Sequence, residues 1–140
     1  MSHRPERRRQ RIAAVLRSAI ALLIVASPAG ADPALDYMLQ CQGCHMADGS
    51  GSPGSVPDLR QSLGRLVERP EGRAFLIRVP GSAQSPLSDQ KLAEVLTWMV
   101  RRFGGAAVSR QFRPFTAQEV SQHRRPLLDV ASARRRLLRE

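Results

Sequence analysis

The sequence predicts a small all-α domain. No segment alternates between apolar and polar residues with the period of a strand, and four stretches place apolar residues at helical spacing. The 140 residues, 42% of them hydrophobic, suffice for one modest core. We therefore expect about four helices in one domain over residues 32–103, followed by a basic helical extension over residues 104–140.

The first two predicted helices cover residues 33–44 and 59–67. Pro33 is suited to a first helical turn, and Asp36 lies where a negative charge favours the helix dipole. The glycines, serines and proline between these two segments indicate a loop. The second segment has its apolar residues on one helical face, at Leu59, Leu63, Leu66 and Val67.

The third and fourth predicted helices cover residues 70–79 and 88–103. Pro70 opens the third helix, and the next proline, Pro80, is expected to end it, so that residues 80–87 form a loop. Ser88 is suited to the N-cap of the fourth helix, and Gly104 is suited to stop it.

Residues 1–31 have the pattern of a cleaved secretory signal peptide. An arginine-rich segment precedes an apolar run and the triplet Ala29-Gly30-Ala31, whose small residues favour cleavage. The uninterrupted apolar run is shorter than the ~20 residues that span a bilayer, and a retained membrane anchor is the alternative. We therefore expect a mature chain that begins at Asp32 and is exported to the bacterial periplasm.

Charge is unevenly distributed along the chain. The formal net charge is +10, but residues 32–100 carry about −2 and residues 101–140 carry +7. A nucleic-acid-binding domain would need a basic patch with base-reading or stacking groups on its folded core. The near-neutral central part of this chain therefore argues against nucleic acid as a partner.

The two cysteines of the chain lie in the segment Cys41-Gln42-Gly43-Cys44-His45. Their spacing is compatible with a disulfide, a redox dithiol or part of a zinc site. The histidine that follows favours a haem c attachment site, in which both thiols add to haem vinyl groups and His45 is an axial ligand of the iron. Zinc would need two further ligands, and a thioredoxin-like dithiol would need a βαβ unit.

Residues 33–103 resemble the class I c-type cytochromes. The resemblance rests on the segment from Cys41 to His45, on Tyr37 four residues before it, on Val56-Pro57-Asp58-Leu59, and on a closing amphipathic helix that contains Trp98. It implies one haem c per chain, bound covalently through Cys41 and Cys44.

The resemblance also implies roles for other residues. The carbonyl of Pro57 would accept a hydrogen bond from the His45 imidazole, which orients the ring and strengthens its donation to iron. Leu59 would belong to the haem pocket, and Tyr37 and Trp98 would meet where the first and last helices cross. The alternatives are that Pro57 is only a turn residue and that the rings are ordinary core.

The sixth iron ligand of the family, usually a methionine in the loop before the last helix, has no counterpart here. Residues 80–87 contain no Met, His or Lys. Met99 on the closing helix and His123 in the extension are weak candidates, because Met is commonly core filler and a tail histidine is commonly solvated. We expect an open or water-occupied sixth site.

The extension is predicted to contain two short helices. The capping box Thr116-Ala117-Gln118-Glu119 starts the first, and residues 127–138 form the second. One interpretation is a solvated basic tail docked by Phe112 and Phe115, and another is a surface that steers the protein toward an acidic partner. Contact with an anionic membrane surface is a third.

The function implied by the resemblance is one-electron transfer between redox proteins, without enzymatic activity. A periplasmic dehydrogenase would be the donor, and an oxidase or another cytochrome the acceptor. A ligand-binding or weakly peroxidatic haem protein is the alternative, since an open sixth site admits small molecules. A small disulfide-bonded exported binding protein is the third possibility.

Overall fold

The computed structural model describes residues 32–126 and 129–139, which belong to one compact unit. Their regular structure is entirely helical, which confirms the predicted all-α class. The predicted signal peptide, residues 1–31, lies outside the described residues. The helices are α1 (Pro33–Gln40), α2 (Leu59–Leu66), α3 (Pro70–Arg78), α4 (Pro80–Ala83), α5 (Asp89–Phe103), α6 (Ala117–His123) and α7 (Val130–Leu138), with a 3-10 turn at Gly105–Ala107 between α5 and α6.

No helix within these described ranges has both the length and the apolar character needed to cross a membrane.

Polar caps fix the starts of most of these helices. The side chain of Ser88 accepts a hydrogen bond from the backbone N–H of Lys91, and that of Thr116 accepts one from Glu119. Each such bond satisfies a backbone donor that the first helical turn leaves without a partner. Asp32, Asp58 and Asp129 cap α1, α2 and α7 in the same way.

Two boundaries differ from the sequence prediction. α1 ends at Gln40, and residues 41–44 form turns instead of a continued helix. Residues 80–83 form the short helix α4 where a loop was expected. Pro80 occupies the first position of that helix, where the backbone N–H has no partner within the helix and its absence therefore costs nothing. A proline can therefore start a helix as readily as it ends one. The predicted start of the last helix, residues 127–128, lies outside the described residues.

The core is centred on the crossing of α1 and α5. The Tyr37 ring lies 5.2 Å from the Trp98 ring and 5.3 Å from the Phe103 ring, measured between centroids. Buried Asp36 and the partly exposed Lys91 add an ion pair of 3.7 Å between the same helices. The largest fully buried side chains of α2, α3 and α5 belong to the same core, namely Leu63, Ile77, Leu92, Val95 and Val100.

The C-terminal extension is packed into this core. Phe115 is 5% exposed and Val120 is fully buried. The backbone N–H of Phe115 donates to the buried Thr97 hydroxyl at 2.9 Å, which joins the extension to the middle of α5. Residues 104–126 therefore complete the hydrophobic core.

Two arginines hold the extension in place. Arg73 of α3 makes a two-pronged ion pair with Glu119, with both N···O distances 2.7 Å, and its guanidinium stacks 3.9 Å from the Phe115 ring centroid. Arg124 donates to three carbonyls, those of Ala83, Ser85 and Leu87, and also pairs with the carboxylate of Asp89. The segment that precedes α5 is thus fixed by the extension.

Replacing Phe115 tests whether the extension belongs to the core. We expect Phe115→Ala to lower the free energy of unfolding by about 3 kcal/mol, because a buried ring is removed and a cavity remains. Chemical denaturation of the full-length protein measures the change. The matched control is Gln118→Ala, an exposed position of α6 that should change the free energy little. A Phe115→Ala protein as stable as the control would contradict this packing.

Candidate functional site

The segment from Cys41 to His45 forms consecutive turns at the end of α1. The backbone N–H groups of Cys44 and His45 both donate to the carbonyl of Cys41, at 3.1 and 2.9 Å. Cys41 is partly buried and Cys44 is exposed, and both are free thiols. The turns therefore place two sulfurs and one imidazole within a single short segment that opens toward the surface.

The environment of Cys41 is unsuited to dithiol redox chemistry. Burial, with smaller contributions from the nearby Cys44 and Asp36, raises the pKa of the Cys41 thiol to about 11. A reactive dithiol needs a thiolate, which a lowered pKa supplies. Cys41 is instead a neutral thiol near pH 7.

A zinc site is also unsupported by the described part of the chain. No group of three or more His, Cys, Asp or Glu side chains is placed to hold a metal ion there. Structural zinc needs four such ligands.

His45 has the environment of a neutral ligand imidazole. Burial lowers its pKa, and the backbone carbonyl of Pro57 opposes this shift. The Nδ1 atom is buried, yet it makes no hydrogen bond of good geometry to any described residue. Pro57 thus lies where its carbonyl acts on the imidazole.

The loop after His45 is folded back onto α1 and α5. The Tyr37 hydroxyl donates to the Met46 carbonyl at 2.8 Å, and the Met46 N–H donates to the Ser50 carbonyl at 2.8 Å. Gly49 has a φ of +80°, and a Cβ at that position would lie 2.7 Å from the Phe103 ring. Only glycine suits this approach, because other residues are strained there.

Two contacts anchor residues 56–59, the Pro57 segment, to the loop that follows His45. Buried Leu59 donates its N–H to the Gly49 carbonyl at 2.9 Å, which ties the start of α2 to the loop that follows His45. Arg60 bridges Asp58 and Asp48, with both N···O distances 2.7 Å. A cleft of about 590 Å³ lies along this segment, lined by Gly51, Val56, Pro57, Gln61 and Arg134 among others.

Met99 and His123, the candidates for a sixth iron ligand, lie in different environments. Met99 is buried among the core residues of α5. His123 is exposed at the end of α6, in a depression that it shares with Arg78, Gln122 and Arg125.

Arg134 and the Met46 carbonyl are parts of the site that carry no recognisable signal in the sequence. Arg134 is separated from Pro57 by more than 70 residues, and it lies in a run of arginines with nothing to distinguish it locally. A backbone carbonyl carries no side-chain signal at all. Only the fold brings these groups to the loop around His45.

Comparison with known proteins identifies the family. No protein-family model matches the chain. A protein named cytochrome c-552 from Thermus thermophilus is 33% identical over 114 residues, covering 69% of this chain and 76% of that protein. A second protein of that name, also from Thermus thermophilus, is 32% identical over 103 residues, covering 61% and 79%.

The chain belongs to the class I c-type cytochromes. This confirms the resemblance drawn from the sequence, and it gives the turns at the end of α1 their chemical meaning. In this cytochrome Cys41 and Cys44 would tether a covalently bound haem c through thioethers, and His45 would ligate its iron. The residues fit that group, because both thiols are free and the Nδ1 atom of His45 is buried without a hydrogen-bond partner among the described residues. The haem supplies a one-electron couple when bound.

Asp58 beside Pro57 makes the Pro57 segment sensitive to acid. The hydrogen bonds and charge of Arg60 lower the pKa of Asp58 from 3.8 to about 2. A carboxyl whose folded pKa is depressed contributes stability above its unfolded pKa and loses it as pH falls through the folded pKa. We expect the difference in free energy of unfolding between the wild type and Asp58→Asn to be largest above pH ~4 and to shrink toward pH ~2. A difference that is constant with pH in denaturation titrations would contradict the Arg60–Asp58 interaction.

Proposed function

We propose that this cytochrome is exported to the bacterial periplasm and carries single electrons between redox proteins through one haem c per chain. The observation that carries the proposal is the combination of two free thiols and a neutral, partly buried imidazole in the turns from Cys41 to His45. The signal-like pattern of residues 1–31 supports export. Export also fits the chemistry, because haem c is attached outside the cytoplasm.

The residues of the chain have distinct parts in this function. Cys41 and Cys44 would hold the haem covalently, and His45 would supply a nitrogen ligand to its iron. Pro57 orients the imidazole through its carbonyl. Tyr37 holds the turn after His45 through the Met46 carbonyl, which would keep the imidazole in a fixed position.

The surface beside the two cysteines is suited to brief contact with a redox partner. Four large apolar side chains are exposed there, at Leu35, Met38, Leu39 and Met46, with exposed fractions between 45% and 63%. Such a patch supports weak, short-lived association without fixed ion pairs. We propose a periplasmic dehydrogenase as the donor and an oxidase or another cytochrome as the acceptor.

The basic extension adds a long-range attraction to this patch. Its exposed arginines would steer the cytochrome toward an acidic partner, with contact to an anionic membrane surface as an alternative. The exposed arginines of the extension include Arg110, Arg113, Arg125, Arg135, Arg136 and Arg139.

A ligand-binding or weakly peroxidatic haem protein is the second candidate. It is favoured by the segment before α5, where residues 80–87 contain no Met, His or Lys. Arg124 donates hydrogen bonds to the carbonyls of Ala83, Ser85 and Leu87, and these bonds fix the segment against the extension. An iron without a sixth protein ligand would bind small molecules.

Stopped-flow spectroscopy of the haem-loaded, reduced protein tests electron transfer. We expect oxidation by an acidic redox protein to slow as ionic strength rises, because salt screens the attraction. The double variant Arg110→Gln/Arg113→Gln removes two exposed charges. It should lower the oxidation rate at low salt but not at high salt. Gln111→Ala is the neutral control between them and should leave the rate unchanged.

Carbon monoxide and peroxide distinguish the two candidates in the same instrument. The carrier proposal predicts electron exchange with redox proteins faster than any turnover of peroxide. A reduced protein that binds carbon monoxide rapidly and consumes peroxide, yet exchanges no electrons with redox proteins, would establish the second candidate.

A further inference from the structure

Arg134 of α7 reaches from the extension to the Pro57 side of the candidate haem site. Its side chain is partly buried, and Nη2 donates to the hydroxyl of Ser62, a buried residue of α2, at 2.8 Å. The guanidinium lines the same cleft as Val56 and Pro57. The cytochrome therefore places a cation from its far C-terminal end beside the segment that orients His45.

This charge lacks the compensation that other arginines of the fold receive. Arg73 pairs with Glu119, Arg124 with Asp89, and Arg60 with Asp58. Among the described residues, Arg134 has no carboxylate within ion-pair distance, and its hydrogen bond goes to a neutral hydroxyl. The charged side chain that acts on Arg134, that of Arg65, is also positive.

An uncompensated, partly buried cation is costly to keep in a folded protein, since burial removes water without supplying a counter-charge. The pKa of Arg134 is lowered for this reason, first by burial and then by Arg65. Charges that act across a partly buried region are screened less by salt than those at the surface.

We propose that Arg134 raises the reduction potential of the haem, by placing a positive charge without a carboxylate partner among the described residues on the His45 side of the site. This inference rests on the proposed function. Reduction adds one electron, supplied by the redox partner, and breaks or forms no bond. The added electron lowers the charge at the iron by one, so a fixed nearby cation favours the reduced state. Arg134 acts through its field and is a tuning residue, not an iron ligand.

Spectroelectrochemical titration of the haem-loaded protein tests the proposal with three variants. Arg134→Gln removes the charge and should shift the reduction equilibrium constant up to about tenfold toward the oxidised state, equivalent to about 59 mV for one electron. Arg134→Lys keeps the charge and should remain close to the wild type. Arg136→Gln removes an exposed charge from the same helix and should produce a much smaller shift.

Thermal unfolding and haem content of each variant accompany the titration. A role of Arg134 limited to packing α7 against Ser62 would change stability and leave the midpoint potential in place, and that result would overturn the proposal. The proposal would also be overturned if Arg136→Gln shifted the midpoint potential as much as Arg134→Gln does. The same holds if Arg134→Lys lowered the midpoint potential as much as Arg134→Gln. A chain that acquires no covalent haem would overturn the proposed function, whereas an unchanged potential in haem-loaded Arg134→Gln would overturn this inference alone.

Discussion

The hydrogen bond from the Tyr37 hydroxyl to the Met46 carbonyl joins the crossing of α1 and α5 to the turn that follows His45. Tyr37 packs against Trp98 and Phe103 where α1 and α5 cross, and Met46 directly follows His45. Burial raises the pKa of Tyr37 to about 12, so its hydroxyl stays protonated and remains a donor near pH 7. The position of the imidazole is thereby tied to the helix crossing at the centre of the core.

A second constraint comes from the extension. Phe115 and Val120 contribute to the core, Arg124 fixes the segment before α5, and Arg134 reaches the cleft beside Pro57. Part of the positive charge that the sequence concentrates after residue 100 is therefore used inside the fold. Only the exposed remainder is available to attract a partner.

Local sequence signals predicted the elements well. The caps at Ser88 and Thr116 and the apolar periodicity of α2 and α5 placed these helices within a residue or two, because such signals act over one or two turns. The preceding helix ends before Pro80 as predicted, but the loop expected from residue 80 was wrong at residues 80–83, because a proline also suits a helix start. The parts of the site that the sequence did not reveal depend on long-range contacts. Arg73 and Glu119 are 46 residues apart, and Arg134 and Ser62 are 72 apart, so no local pattern marks them.

The central claim is that the turns from Cys41 to His45 hold a covalent haem, and mass spectrometry tests it most directly. Protein produced with a haem c maturation system would be digested, and the peptide that spans Cys41 to His45 would be analysed. The account predicts a peptide heavier by one haem, attached through both sulfurs. An unmodified peptide, with its two thiols free or joined as a disulfide, would contradict it.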